Sequence, residues 1–132
     1  MRIVITRWGL DSYLDLLHRG VLDAALYRRV LRPDILLLRE RNAQPKFKKP
    51  KFWGPAIDLR GRAVGDGWKM KWHNFGPHNV QLRLCIALIE ADSYLCHAYV
   101  KNSGSQDKRM AASLKDKIQL IRRLQHDERG EL

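Results

Sequence analysis

The segment from residue 68 to residue 101 constrains the fold more than any other part of this sequence. Apolar and polar side chains alternate in three stretches, 68–75, 80–89 and 94–101, and short turn-forming segments separate them. Alternation with a period of two is typical of strands that bury one face, and turns of this length join antiparallel neighbours. The sequence therefore predicts a three-stranded antiparallel meander.

The segments before the meander predict one strand and a pair of helices. β-Branched residues at 2–8 indicate a short strand, and apolar residues recur at the spacing of one helix face from 10 to 21. A second helical stretch follows at 22–30, and we expect Pro33 to end it, because the residue before a proline avoids the helical region. Residues 34–41 fit either a short helix or a buried strand.

The last part of the chain predicts an amphipathic helix. After Gly104, apolar residues recur at helical spacing and the opposite face is basic. The apolar positions are Met110, Leu114, Ile118, Ile121 and Leu124, and the basic positions are Lys108, Lys115, Arg122 and Arg123. Together these elements predict an α+β fold for a single domain of residues 1–132, with the helices on one face of a small, mostly antiparallel sheet.

Basic residues outnumber acidic residues strongly enough to indicate a polyanionic partner. The 132 residues include 25 Lys and Arg and 14 Asp and Glu, which gives a net charge of +11. A small domain with this charge attracts nucleic acid, because phosphate binding releases condensed counterions. A basic protein whose charge is covered by an acidic partner is the alternative.

Residues 42–67 are predicted to form a long surface loop, rich in Pro and Gly, with a basic centre. Between 46 and 53 lysines are interleaved with aromatic residues, a composition that suits contact with an RNA backbone. The candidate nucleic-acid-binding residues are Lys46, Lys48, Lys49 and Lys51 in the loop and Lys69 in the following strand. Trp53 is a candidate for base stacking, although tryptophans more often pack in the core or at its rim.

The sequence also disfavours several classes of protein. No apolar run approaches the roughly 20 residues of a membrane-spanning helix, and the N-terminal segment lacks a secretory signal, so we expect a cytoplasmic protein without a membrane partner. No phosphate-binding loop, dinucleotide fingerprint or zinc-protease motif is present. Cys85 and Cys96 are too few for a zinc site and form no C-x-x-C pair, so we expect neither a metal nor a cofactor.

Strand parity collects the chemically active side chains on the second face of the meander, opposite the apolar one. This face is predicted to carry cationic, imidazole and phenol groups and no acid. Its residues are Lys69, Lys71, His73, Gln81, Arg83, Cys85, Leu95, His97, Tyr99 and Lys101. A merely solvated polar face is the alternative interpretation. The same parity places Cys85 and Cys96 on opposite faces, so no disulfide is expected if no bulge intervenes.

These groups match the requirements of RNA cleavage without a metal ion. A base takes the proton of the ribose 2′-hydroxyl, cations neutralise the pentacoordinate phosphate, and an acid protonates the departing 5′ oxygen. Lys, Arg, His and Tyr side chains can divide these roles. The remaining histidines are weaker candidates, since His18 and His126 are predicted at the surface of helical segments and His78 in a turn.

Two strands of the predicted meander resemble a known family. Leu82–Ile86 and Leu95–Lys101, followed by a terminal helix, are similar to the paired strands of the RelE/ParE/HigB superfamily of toxins from toxin–antitoxin systems, and most of all to its HigB-like, phage-derived branch. The resemblance implies a RelE/ParE-like fold and a toxin that a cognate antitoxin neutralises. Most relatives cleave mRNA at the ribosomal A site without a metal ion, whereas ParE-like relatives block DNA gyrase.

The resemblance also implies roles for individual residues. Arg83 matches the strand arginine of the family, and Lys101 matches the first lysine of its terminal pair. His97 falls on a position that is often histidine, and Lys71 falls on an arginine position. The positions that depart from the family pattern are Lys69, Tyr99 and Asn102, which replace a glutamate, a phenylalanine and the second lysine.

The leading hypothesis is therefore a ribosome-associated endoribonuclease that cleaves mRNA. Arg83, Lys71 and Lys101 would hold the scissile phosphate, and His97 or Tyr99 would transfer protons, with His73 as a reserve. The second hypothesis is a toxin that stops replication by binding gyrase or the sliding clamp, since Gln81–Leu84 loosely resembles a clamp-binding peptide. The third is a basic RNA-binding module without catalytic activity.

Overall fold

Six strands form one open sheet in a computed structural model that describes all residues from 1 to 132. The strands are β1 (Ile3–Thr6), β2 (Trp53–Ile57), β3 (Ala63–Phe75), β4 (Val80–Ile89), β5 (Asp92–Val100) and β6 (Glu128–Glu131). Their order across the sheet is β2-β3-β4-β5-β1-β6, and only the pairing of β1 with β5 is parallel. The predicted meander is confirmed as β3, β4 and β5. Strands β2 and β6 were not predicted.

The helical elements surround this sheet. They are α1 (Arg7–His18), α2 (Ala24–Leu26), a π-helical turn (Tyr27–Leu31), α3 (Arg32–Leu36), 3-10 turns at Leu37–Glu40 and Pro45–Lys48, and α4 (Gly104–Arg122). No helix among them has both the length and the apolar character required to cross a bilayer. The α+β class is confirmed, because the helices are combined with one mostly antiparallel sheet.

Pro33 does not end the second helical stretch, contrary to the prediction. It lies in the first turn of α3, where the backbone N–H that proline lacks is not needed for a helical hydrogen bond. The turn before it is π-helical, with the Arg32 N–H bonded to the Tyr27 carbonyl, and this wider turn accommodates the proline ring. Residues 34–40 are accordingly helical rather than a buried strand.

Helix α1 begins earlier than predicted because Thr6 ends β1 and caps the helix. The Thr6 hydroxyl accepts a hydrogen bond from the Gly9 N–H at 3.0 Å and donates one to the Leu95 carbonyl at 2.7 Å. A side chain at position 9 would place its Cβ 2.3 Å from the Leu95 oxygen, so only glycine permits this close approach. The Ser12 hydroxyl then accepts a hydrogen bond from the Ala98 N–H at 2.9 Å. These contacts fix α1 against β5.

Helices lie on both faces of the sheet, so the prediction that they share one face is wrong. Helix α1 and the helical segment 24–40 pack on the first face, against Met70, Leu82 and Leu84. Helix α4 packs on the second face, where its apolar stripe, at Ala111, Leu114, Ile118 and Ile121, meets Val64, Cys85 and Ala87. The signal is present in β4, whose residues 84–88 are apolar on both faces, as in strands covered on both sides.

A bulge in β5 changes which residues point to each face. Cys85 pairs with His97 and Ile86 with Leu95, so Cys96 is the extra residue. Beyond the bulge, His97, Tyr99 and Lys101 keep their predicted face. The residues of β5 that precede the bulge point to the face opposite the predicted one, so Leu95 packs in the first-face core. Cys96 joins Cys85 under α4, and the prediction that the two cysteines lie on opposite faces is wrong.

Both thiols are expected to be unreactive in the native protein. Cys85 and Cys96 are fully buried and unpaired, and burial raises the pKa of each thiol to about 12. At about pH 7 a maleimide dye should label neither residue in native buffer and both in guanidinium chloride, because the thiolate is the reactive form. Labelling of the folded protein within minutes would contradict this buried environment.

Candidate functional site

The register of the meander brings most of the predicted site residues together on the second face. Lys71 lies opposite Arg83, and Arg83 lies opposite Tyr99. Lys101 lies in the neighbouring row on the same face, because its N–H donates to the Gln81 carbonyl at 2.8 Å. We call these residues, with Lys69 and His97, the cationic group. Its members come from three adjacent strands and share one end of the second face.

An acid that the strand pattern does not contain enters this face from α4. Asp107, in the first turn of the helix, binds the Lys69 ammonium at 2.5 Å and accepts a hydrogen bond from the Tyr99 hydroxyl at 2.5 Å. The prediction that the face has no acid is therefore wrong. The available signal was helical spacing, since Asp107 precedes the buried Ala111 by four residues and Leu114 by seven, which places it on the buried side of α4.

This contact removes Lys69 and Tyr99 from direct roles in proton transfer and RNA binding. Lys69 is only 6% exposed and is paired with Asp107, so it is not a surface contact for RNA, contrary to the prediction. Burial and the hydrogen bond to Asp107 raise the pKa of Tyr99 far above its ordinary value. Burial also acts to raise the pKa of Asp107, but the hydrogen bonds from Lys69 and Tyr99 outweigh it and keep that pKa low. Tyr99 therefore keeps its proton and fixes the carboxylate.

Arg83 is a nearly buried charge with little compensation. Its residue is 5% exposed, and its guanidinium makes a single hydrogen bond, to the Leu82 carbonyl at 3.2 Å. No carboxylate forms a salt bridge with it, and burial lowers its pKa although Asp107 acts in the opposite direction. An arginine stays charged under these conditions. Its remaining donors are therefore free to bind an anion.

Lys71 connects the cationic group with the basic loop. Its ammonium donates to the Pro50 carbonyl at 2.9 Å. Burial lowers the pKa of Lys71, and Lys69 and Arg83 lower it further. The next residue on this face, His73, bonds to the Lys51 carbonyl through Nε2 at 2.6 Å and to the Gln81 side chain through Nδ1 at 2.8 Å. Both ring nitrogens of His73 are thus occupied, and the residue fastens the loop to the sheet.

The basic loop has more structure than predicted. It contains the 3-10 turn at 45–48 and leads into β2, and Lys48, Lys49 and Lys51 are exposed along it. Lys46 instead forms a 2.7 Å ion pair with Asp34 and lies over the Phe52 ring. Lys46 therefore braces the loop, while its side chain stays 48% exposed, and its role in nucleic-acid binding remains a prediction.

The tryptophan of the loop is part of the core. Trp53 is buried and stacks on Trp68, with ring centroids 5.2 Å apart and planes within 8°. Phe47 adds an edge-on contact with Trp53 at 5.0 Å. Trp53 thus shows the core packing that was the more common expectation for a tryptophan, and it is not a base-stacking platform, because neither face of a stacked, buried indole is open to a base.

His97 is the histidine of the site whose ring nitrogens have no hydrogen-bond partner. It is half-buried, its ring centroid lies 6.1 Å from that of Tyr99, and it forms no side-chain hydrogen bond. Burial lowers the pKa of His97, and Lys117 contributes in the same direction, so the ring is neutral at physiological pH. A neutral imidazole can accept a proton.

The other histidines lie outside the site. His18 and His78 are exposed, as predicted. The side chain of His126 is only 5% exposed, packs edge-on against Tyr94 and contacts Glu128 at 3.0 Å, so its predicted surface position is wrong.

The segment that loosely resembles a clamp-binding peptide is part of the central strand. Leu82 and Leu84 lie in the first-face core, and the Gln81 side chain is bonded to His73. Binding these leucines to another protein would require unfolding of β4. The interpretation of Gln81–Leu84 as a clamp-binding peptide is therefore wrong.

The site can bind an anion through its cationic side chains, and the neutral imidazole of His97 lies next to that position. Nowhere in residues 1–132 do three His, Cys, Asp or Glu side chains come together in a way that would hold a metal ion. Comparisons of the chain with protein-family models, with curated proteins and with solved structures find no match.

Proposed function

We propose that this protein is an endoribonuclease whose scissile phosphate binds at Arg83. The observation that carries this proposal is the nearly unpartnered guanidinium of Arg83, with Lys71 beside it and Lys101 at the end of the same face. Guanidinium binds phosphate in a bidentate manner, and a charge held in place at low exposure binds an anion more strongly than one in water. The 19-residue helix α4 begins beside this group, and its positive end favours the same anion.

The basic loop supports RNA as the source of that phosphate. Lys48, Lys49 and Lys51 are exposed, and the backbone between Pro50 and Lys51 is bonded to Lys71 and His73. The loop cations therefore continue the charge of the cationic group along one surface. Such a surface follows a phosphodiester backbone and gives salt-dependent affinity without sequence choice.

The placement of His97 and Lys71 suits in-line cleavage. They project from β5 and β3, on either side of β4, and strands two apart are separated by about 10 Å. Lys71 lies opposite Arg83, and His97 lies opposite Cys85, two residues farther along β4. His97 takes the proton of the ribose 2′-hydroxyl as its oxygen bonds to phosphorus. The bond from phosphorus to the 5′ oxygen breaks, and the Lys71 ammonium, whose pKa is lowered, gives that oxygen a proton. The products are a cyclic phosphate and a free 5′-hydroxyl.

The biological setting follows from the resemblance of the strands to RelE/ParE/HigB toxins. We propose that the substrate is mRNA, cleaved on the ribosome in the cytoplasm, and that a cognate antitoxin neutralises the protein. Growth arrest on expression, relieved by a neighbouring gene product, is the expected behaviour.

His97→Gln should abolish most of the cleavage without abolishing RNA binding. We expect a loss of about 100- to 1,000-fold in the cleavage rate, which is within the range for a general base. In the wild type the rate should rise with pH only up to the lowered pKa of His97, below its ordinary value of 6.5, and then level off. The measurement is the rate of cleavage of a labelled RNA from acidic to neutral pH, with binding followed separately.

His78→Gln is the matched control, because His78 is exposed in a turn away from the cationic group. It should cleave like the wild type. Wild-type protein that binds RNA but leaves it uncut would support the non-catalytic RNA-binding module. Replication arrest with intact transcripts would support a gyrase-directed toxin instead.

A further inference from the structure

The first face of the sheet contains a cavity that the proposed function does not use. It has a volume of about 180 Å³ and lies between α1, the helical segment 24–36 and the sheet. Thirteen of its 14 lining residues are hydrophobic, among them Leu82, Leu84, Leu95 and Ala98. Walls that offer so few hydrogen-bond partners hold water poorly and favour apolar molecules instead.

The wall of the cavity is built around the π-helical turn. Tyr27 and Leu31, the first and last residues of that turn, both line the cavity. The half-buried Tyr27 ring stands edge-on to Tyr13, with centroids 5.2 Å apart, so aromatic edges form the outer part of the wall. π-Helical turns are energetically unfavourable and recur at functional sites. The turn that accommodates Pro33 thus also shapes one wall of the cavity.

We propose that this cavity binds one small, uncharged, apolar molecule with a single aromatic ring. The volume sets the size, since an engineered apolar cavity of about 150 Å³ binds benzene. The lining sets the polarity, because a polar substituent would lose its hydrogen bonds to water without finding replacements. The site is independent of the proposed ribonuclease activity, although Leu82 and Leu84 flank Arg83 in β4 and the cavity therefore lies directly behind the cationic group.

Toluene and phenol provide a matched pair of probes for this site. At a toluene concentration about ten times its Kd, the thermal midpoint of the protein should rise by about 4 °C. Phenol has the same ring with a hydroxyl in place of the methyl group, and it should cause no measurable rise. Equal rises with the two probes, or no rise with toluene, would overturn the proposal.

A cavity-filling substitution locates the binding. Ala98→Ile places extra methyl groups in the cavity and should remove the response to toluene. Ala63→Ile makes the same change at an exposed strand position and should keep it. Methyl NMR of the wild type provides a test that does not depend on variants. Toluene should shift the signals of Leu82, Leu84 and Leu95 and leave those of Leu114 and Ile118 on the second face unchanged. Shifts on the second face, or a full response in Ala98→Ile, would show that no such site exists.

Discussion

Replacement of Arg83 by methionine is expected to reduce RNA cleavage by about 100- to 1,000-fold, the usual effect of removing one positioned donor from a charged transition state. The thermal midpoint should stay the same or rise. Arg83 is 5% exposed and has no ion-pair partner, so the folded protein holds a desolvated charge that methionine, of similar length, does not impose. When both are measured on the same preparation, the cleavage rate should therefore fall while the thermal midpoint rises or stays unchanged.

Arg109→Met is the control for the Arg83 variant. Arg109 is exposed on the outer side of α4, and its replacement removes the same charge from the surface. We expect a small loss of RNA affinity at low salt and a normal cleavage rate at saturating RNA. An Arg83→Met protein that cleaves RNA at the wild-type rate would refute the site. A markedly lower thermal midpoint would show that Arg83 is a structural residue.

The meander was predictable from the sequence because its strands obey one simple rule over most of their length. Side chains alternate, one set is apolar, and the turns are short, so β4 has the predicted bounds of Val80 and Ile89. The rule fails at the bulge beside Cys96, where one additional residue inverts the parity, and the register shifts again between Trp72 and Phe75. Nothing in the composition of β5 distinguishes a bulged strand from a regular one.

The two edge strands were not predictable by the same rule. Strand β2 contains Pro55, which is tolerated because β2 is at the edge of the sheet and pairs on one side only. Strand β6 has no apolar alternation at all. It is held by Arg2, which contacts Glu128 at 3.2 Å and Glu131 at 3.0 Å, and such long-range ion pairs leave no local pattern in a sequence.

The part of the candidate site that lies on the strands was predictable from the sequence. Arg83, Lys71 and Tyr99 were expected on one face, and pairing across β3, β4 and β5 brings them side by side. Asp107 was missed because a helix was expected on the other face of the sheet. The position of α4 depends on which face remains uncovered after α1 and the segment 24–40 have packed, and that competition is decided by the whole chain.

Asp107→Asn is expected to destabilise the protein by about 3 kcal/mol, the usual effect of removing one partner of a buried ion pair. The side chains of Lys69 and Asp107 are 8% and 13% exposed, so the remaining ammonium would stay desolvated without a counter-charge. The Tyr99 hydroxyl would also lose its charged acceptor. Chemical denaturation of the variant and the wild type at neutral pH measures the difference in the free energy of unfolding.

Asp116→Asn is the matched control, since Asp116 is exposed on the same helix, and it should change the free energy of unfolding by no more than about 0.5 kcal/mol. The double variant Lys69→Met with Asp107→Leu removes both charges and should recover most of the lost stability. If Asp107→Asn were as stable as Asp116→Asn, the ion pair would contribute nothing to holding α4 on the second face.

The pH dependence of unfolding provides an independent check on the same carboxylate. Because the folded-state pKa of Asp107 is lowered, the ionised form is favoured in the folded protein over the unfolded chain. Its contribution is therefore complete above the unfolded value of about 3.9 and is lost as the pH falls from there through the folded value. The difference in stability between the wild type and Asp107→Asn should accordingly be constant from neutral pH down to about pH 5 and shrink below about pH 4. A difference that instead grew on acidification would mean that Asp107 is protonated in the folded protein, and the hydrogen bonds from Lys69 and Tyr99 would not be charge-assisted.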